Sequence, residues 1–237
     1  MIASEMKRFR SVLIVAGEAS GDLHGANLVR EMKALDSSLS FSGVGGPKLE
    51  AEGVRLLARS SEMAVVGITE VFAKIRFILD VFLRLRKILR KEKPDLLILI
   101  DYPDFNLRLA AAAKAAGVRV FYYISPQVWA WRKGRIRQIR RVVDRMAVIL
   151  PFEKAFYEGR GYAVHFVGHP LLDVVKRTRS RETALTDFGL HDKRPIVALL
   201  PGSREKEVRD LLPVMLGAAV HVKEKYGEAQ FILPLAD

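Results

Sequence analysis

Two carboxylates three residues apart, Asp101 and Asp104, stand in Ile100-Asp-Tyr-Pro-Asp-Phe-Asn106, directly behind an apolar run. Asp101 ends that run ahead of Pro103, positioned to face a cleft. A carboxylate there could act as general base on a hydroxyl nucleophile; its structural alternative is bonding to loop amides. Asp104 directly precedes an expected helix and reads first as its N-cap. A further acid, Glu18, lies in Ala16-Gly-Glu-Ala-Ser-Gly-Asp-Leu-His-Gly25. Gly17 and Gly21 let backbone approach a ligand there, and a glycine-flanked acid at a strand end has no evident structural task other than solvation. Ser20 and Asp22 suit helix capping. His24 reads as a neutral surface histidine in the first helical turn.

Two more loops carry chemistry. Tyr123-Ile-Ser-Pro-Gln-Val-Trp-Ala-Trp-Arg-Lys-Gly-Arg135 holds both tryptophans of the chain and runs straight into a basic helix. Aromatics interleaved with arginines can clamp nucleic acid, and equally a sugar or a phosphate; core tryptophans beneath a loop are the plain alternative. Ile196-Val-Ala-Leu-Leu-Pro-Gly-Ser-Arg-Glu-Lys-Glu207 ends a strand in Gly202-Ser203-Arg204 ahead of a helix, where amides and an arginine fork favour an anion. Glu205 and Glu207 complement the dipole of that helix.

These loops need strands to carry them. Val12–Ala16, Ser40–Val44, Leu96–Ile100, Val118–Ile124, Arg145–Leu150 and His165–Val167 read as strands. Leu23–Leu35, Ile75–Lys91, Phe105–Ala116, Lys133–Val143 and Phe152–Gly159 read as helices. Ile75, Ile78, Leu79, Phe82, Leu85 and Leu89 share one apolar face. Such alternation argues for an α/β fold, a parallel Rossmann-like sheet with helices on both faces and ligands at the carboxyl ends of its strands. A polar stretch at 176–194 separates 1–175 from a restart at 195–237: strand Ile196–Leu200, a helix from about Glu205 to Tyr226, strand Gln230–Leu235. This second unit is expected to be the unfinished start of another Rossmann-like domain.

Composition excludes several classes. Half of the 237 residues are hydrophobic and 28% charged, which suits a globular domain. With no cysteine, disulfides and thiolate metal sites are excluded, and the five histidines lack ligand spacing, so neither a metal nor a cofactor is expected. The first loop is not G-x-G-x-x-G, and no acid clearly ends the second strand, which sets a nicotinamide dehydrogenase aside. No signal peptide or spanning segment is evident, so a cytoplasmic protein is expected. The net charge of +12 is concentrated in Lys74–Lys93, with eight basic and two acidic residues, and in Arg132–Arg145, with seven and one. Nucleic acid, anionic lipid and phosphorylated substrates are candidate partners; a solvated helix face is the bland reading.

The strings Val15-Ala-Gly-Glu-Ala-Ser-Gly-Asp22, Val66-Gly-Ile-Thr-Glu-Val71, Ile100-Asp-Tyr-Pro-Asp-Phe-Asn106 and Ser125-Pro-Gln-Val-Trp-Ala-Trp-Arg132 occur in this order. Leu150-Pro-Phe-Glu-Lys-Ala-Phe-Tyr157, Val167-Gly-His-Pro170 and Leu200-Pro-Gly-Ser-Arg204 follow. Together they resemble the lipid-A-disaccharide synthase family over essentially the whole chain. The resemblance implies a GT-B glycosyltransferase that joins UDP-2,3-diacylglucosamine to 2,3-diacylglucosamine 1-phosphate, making a β-1,6 disaccharide and releasing UDP. It needs no metal and works at the cytoplasmic face of the inner membrane of a Gram-negative bacterium. It implies Asp101 as base, Glu18 as an important cleft acid and Arg204 as the arginine near the donor diphosphate. The candidate substrate-binding set is Ser20, Gly21, Asp104, Asn106, Ser125, Trp129, Arg132, Gly202, Ser203 and Arg204. Val65, Val66, Ile68 and Phe72, ahead of a basic helix, are expected to meet an anionic membrane, whereas Ile78, Phe82 and Leu85 are expected in the core. No nucleic-acid partner is expected, and a homo-oligomer is left open. A related UDP-sugar enzyme such as a 2-epimerase, or a basic nucleic-acid- or membrane-binding protein, is the alternative. The remainder of the donor site is expected beyond Asp237, leaving this chain inactive alone.

Overall fold

The computed structural model describes residues 10–63, 71–131, 134–203 and 205–235. The chain divides into two compact units, residues 1–174 and 175–237. The first contains β1 (Ser11–Ala16), α1 (Ala19–Leu35), β2 (Ser40–Gly45), α2 (Pro47–Ala51), β3 (Arg55–Arg59), α3 (Ser60–Met63) and α4 (Val71–Lys91). It continues with β4 (Leu96–Ile100), α5 (Pro103–Ala115), β5 (Arg119–Tyr123), α6 (Val128–Trp131), α7 (Arg135–Val142), β6 (Arg145–Val148), α8 (Pro151–Glu158), β7 (His165–Phe166) and α9 (Leu171–Val174).

Its seven strands form one parallel sheet in the order β3-β2-β1-β4-β5-β6-β7. The order reverses between β1 and β4, which pair Val12 with Leu96 through to Ala16 with Ile100. That is the switch point at which loops part and a crevice opens in a doubly wound sheet. Both faces of the central strands are buried, which is why Leu96–Ile100 is a continuous apolar run. Leu13, Val15, Leu97 and Leu99 point to one face and pack with Leu85 and Leu89 of α4, Leu109 and Ala113 of α5 and Ile139 of α7. Val12, Ile14, Ile98 and Ile100 point to the other, against Val29 of α1 and Leu49 of α2. Each fully buried aliphatic side chain here contributes roughly 1.5–3 kcal/mol.

Two expectations need correction. First, α2, β3 and α3 occupy a stretch in which the sequence shows no element; β3 is an edge strand, half-exposed and flanked by arginines, so it lacks an apolar run. Second, α1 starts at Ala19 and not at Leu23, which draws Ser20, Gly21 and Asp22 out of the loop and into the helix. The polar stretch expected as a linker holds α10 (Arg181–Asp187), whose N-cap Ser180 accepts a bond from the Thr183 amide at 3.1 Å.

The second unit contains α10, β8 (Ile196–Ala198), α11 (Glu205–Tyr226) and β9 (Gln230–Ile232), with β8 and β9 parallel. The Gln230 side chain bonds the backbone of His191 in both directions, tying the end of the polar stretch to β9. Among its described residues no side chain of α11 is buried, and Val214 and Val220 are well exposed.

Candidate functional site

The site is built on a strained turn at the carboxyl end of β4. Asp101 (φ 46°) and Tyr102 (φ 44°) are both left-handed, a conformation that costs non-glycine residues on the order of 1–3 kcal/mol each. The turn is held from beneath. The carboxamide of Asn106, fully buried, donates to the carbonyls of Ile100 (3.2 Å) and Asp101 (2.7 Å). The Tyr122 hydroxyl, from buried β5, also donates to the Asp101 carbonyl. Burial pushes the Tyr122 phenol well above its ordinary range and the Asp101 carboxylate adds to this, so the hydroxyl keeps its proton to donate. The Asp101 side chain itself is half-buried.

The neighbouring loop after β1 accommodates this turn. A Cβ on Gly17 would come within 2.5 Å of the Tyr102 ring, so the glycine is required for the ring to lie across it. Glu18 is the N-cap residue of α1, half-buried, and its carbonyl accepts from Asp22. Burial raises the Tyr102 phenol, with Glu18 and then Asp104 adding to the effect, which puts both carboxylates within electrostatic reach of one ring. Three candidate residues thus surround Tyr102 at the switch point: Asp101 beside it in sequence, Glu18 and Asp104 in space.

Other expected residues have different tasks. Ser20 is exposed in the first turn of α1. Gly21 faces inward, where a Cβ would sit 3.3 Å from that of Ala16, so it brings α1 close to the sheet. Asp22 caps no turn of its own helix. Its buried carboxylate accepts from the amides of Gly46 (2.7 Å), Lys48 (3.0 Å) and Leu49 (3.1 Å), satisfying the open N-terminus of α2. His24 is buried, not at the surface: it meets His169 edge-to-face at 6.4 Å, and its Nδ1 finds no partner among the described residues. Burial pushes the His24 imidazole below the usual histidine range, and His169 adds to the push.

Asp104 is not the N-cap of α5. The helix starts at Pro103, Tyr102 occupies the cap, and the Asp104 carboxylate pairs with the Arg135 guanidinium at the start of α7. In the next loop Ile124 is left-handed (φ 64°), an uncommon state for a β-branched residue and a second strained point at the same edge of the sheet. Ser125 is buried with its hydroxyl turned inward, 2.7 Å from that of Tyr157, itself pushed up to about 12 chiefly by burial. The Trp129 ring packs edge-to-face on Phe152 at 5.0 Å, and its buried Nε1 is unpartnered among the described residues.

In the second unit Gly202 and Ser203 are exposed ahead of α11. The Ser203 amide donates to Glu207 at 3.3 Å, and a Cβ on Gly202 would lie 2.4 Å from the Glu207 carboxylate. Glu207 therefore reaches back over the loop that was expected to receive an anion. Arg132, Arg204, Val65, Val66 and Ile68 lie outside the described residues, as does the side chain of Phe72. Along α4, Leu85 is fully buried and Ile78 and Phe82 pack against the core, as expected. Ile75 and Leu79, read as part of that same face, are instead 47% and 52% exposed, with Leu83 at 56% one turn on. Among the described residues no cluster of His, Asp and Glu could hold a metal ion, and no helix is long and apolar enough to cross a membrane.

Sequence reasoning missed the groups that hold the site: Tyr122 beneath Asp101, Tyr157 behind Ser125, Arg135 against Asp104 and His169 against His24. Arg135 stands in the basic run Arg132–Arg145, and Tyr157 and His169 stand in the strings that carry the family resemblance; Tyr122 had no signal.

The comparisons accord with this architecture. The model of the LpxB family, lipid-A-disaccharide synthetase, matches residues 12–237. The lipid-A-disaccharide synthase of Geobacter sulfurreducens is 58% identical over 225 residues, 95% of this chain and 59% of that protein. That of Syntrophus aciditrophicus is 60% identical over 226 residues, with the same two coverages of 95% and 59%. The chain therefore spans about three-fifths of the length of these curated relatives. A solved UDP-GlcNAc 2-epimerase from Neisseria meningitidis, bound to UDP-GlcNAc, aligns with a TM-score of 0.63 at 13% identity, covering 95% of this chain and 66% of that one. At that identity it shows the fold alone, the Rossmann-like α/β architecture expected from the sequence. Sequence identity and the match over residues 12–237 go further: the chain belongs to the lipid-A-disaccharide synthase family.

Proposed function

We propose that the full-length protein is an inverting glycosyltransferase that joins UDP-2,3-diacylglucosamine to 2,3-diacylglucosamine 1-phosphate, giving the β-1,6 disaccharide and UDP. Family membership supports the reaction class, and the pinned Asp101 turn is the observation that carries the mechanism. Asp101 takes the proton of the acceptor hydroxyl as that oxygen attacks the donor anomeric carbon. The new carbon–oxygen bond forms while the bond to the diphosphate breaks, and UDP leaves with the electron pair. A base on a rigid, strained turn is oriented before substrate arrives, which lowers the cost of alignment in the transition state. Glu18 lines the same crevice, and Ser125 and Asn106 serve as positioning residues behind it. Residues 1–175 form the acceptor side, 176–194 the linker, and Gly202, Ser203 and Arg204 the first edge of the donor site. A phosphate there would displace Glu207 from the Ser203 amide.

The protein acts at the cytoplasmic face of the inner membrane. Support comes from the exposed stripe Ile75–Leu79–Leu83 on α4, bordered by exposed Arg76, Arg86, Lys87 and Arg90. Aliphatics rimmed by cations suit an anionic lipid surface, and Val65, Val66, Ile68 and Phe72 would extend the contact. The test is incubation of the full-length protein with both lipid substrates, followed by mass spectrometry. A disaccharide 1-phosphate together with UDP is the expected product. Its absence, or C2 epimerisation of a UDP-sugar instead, would refute the reading.

A further inference from the structure

Arg135 has an environment that its pairing with Asp104 does not exhaust. Its side chain is 18% exposed, whereas that of its carboxylate partner is 72% exposed, so Asp104 covers the cation from the solvent side. Among the described residues, the bond from Nη2 to Asp104 is the single hydrogen bond made by this guanidinium, a fork of N–H donors built for bidentate contact. Two helix N-termini meet at the pair, Asp104 in the first turn of α5 and Arg135 at the first position of α7, and both direct positive dipole ends toward it. Asp101 and Arg135 also act electrostatically on the same hydroxyl, that of Tyr122, with opposite signs. The cation therefore lies within electrostatic reach of the hydroxyl that holds the Asp101 turn.

We infer that Arg135 binds the phosphate monoester of the acceptor, with Asp104 holding its place in the free protein. This rests on the reaction proposed above and assigns one group of its substrate. A largely desolvated cation needs an anionic partner. Asp104 supplies one charge from an exposed, rotatable side chain; a phosphate monoester supplies up to two, with oxygens spaced for the arginine fork. Exchange of one for the other would leave Arg135 paired throughout and would draw the acceptor toward Asp101.

Two measurements test this. In the full-length enzyme, Arg135→Gln should raise KM for 2,3-diacylglucosamine 1-phosphate at least about tenfold. KM for the UDP-sugar, and kcat/KM for the acceptor lacking its phosphate, should stay unchanged. Arg135→Lys should fall between. Equal losses with both acceptors would overturn the inference. In the present chain, titration with soluble glucosamine 1-phosphate followed by NMR should show saturable shifts that Arg135→Gln weakens at least several-fold while the spectrum stays folded. No binding by the parent chain, or equal binding by the variant, would also overturn it. An enzyme that makes no disaccharide refutes the proposed reaction, and the titration then still decides whether Arg135 binds the phosphate.

Discussion

The Asn106 side chain donates to the main-chain carbonyl of Asp101 at 2.7 Å, from a position with no solvent exposure. A left-handed pair without glycine persists only where its surroundings over-determine it, and Asn106 and Tyr122 both bond that one carbonyl. Asn106→Ala removes both Asn106 bonds and should lower the unfolding free energy by about 1–3 kcal/mol, measured by urea denaturation. Tyr122→Phe, losing one bond, should cost about 1 kcal/mol. An Asn106→Ala chain as stable as the parent would mean that the turn holds without its support.

Gly17 and Tyr102 should be coupled. Gly17→Ala places a methyl group 2.5 Å from the Tyr102 ring, and the ring must then move together with the turn beneath it. We expect a loss of about 1–3 kcal/mol in the parent and much less in a Tyr102→Ala background. Additive losses in the double-mutant cycle would show that the two residues do not meet.

The buried His24 makes stability depend on pH. Its ordinary value is 6.5 and burial lowers it in the folded chain, so between the two values the unfolded state binds more protons. Stability must therefore rise with pH in that window. The contribution is complete above the ordinary value and is lost as pH falls through the lower, folded one. His24→Leu should flatten the stability profile as pH falls below 6.5. The check is denaturant unfolding across that range, and parallel profiles for parent and variant would contradict a buried neutral imidazole.

The exposed stripe on α4 should respond to charge. Leu79→Glu combined with Leu83→Glu should reduce binding to vesicles rich in anionic phospholipid at least about tenfold, since each acid removes an apolar contact and adds repulsion. Both positions face solvent, so thermal stability should change little. Undiminished vesicle binding would direct the search to another surface.

Much of this was legible in the sequence, for physical reasons that also explain the rest. Leu96–Ile100 announces itself because a strand buried on both faces must be apolar throughout. Asp101 stands out because a carboxylate ends that run before a proline. The longer-range facts carry no such mark. Asp22 looks like a cap for its own helix, yet the helix it caps is α2, brought alongside by the pairing of β1 with β2. His24 looks like a surface residue until the segment after β7 brings His169 against it. Periodicity placed Ile75 and Leu79 on one apolar face with Leu85, because it registers apolar spacing and not which part of a wide apolar arc meets the sheet. Neither residue type nor spacing betrays the left-handed backbone at Asp101 and Tyr102, because that conformation is imposed by Asn106 and Tyr122.

The most direct test of the central claim is steady-state kinetics of the full-length enzyme carrying Asp101→Asn, a replacement that keeps shape and removes the basic carboxylate. With Asp101 as the base, kcat should fall about 10²–10⁴-fold while KM for both substrates and the thermal midpoint stay nearly unchanged. A kcat within a few-fold of the parent would contradict the assignment of Asp101 as the base.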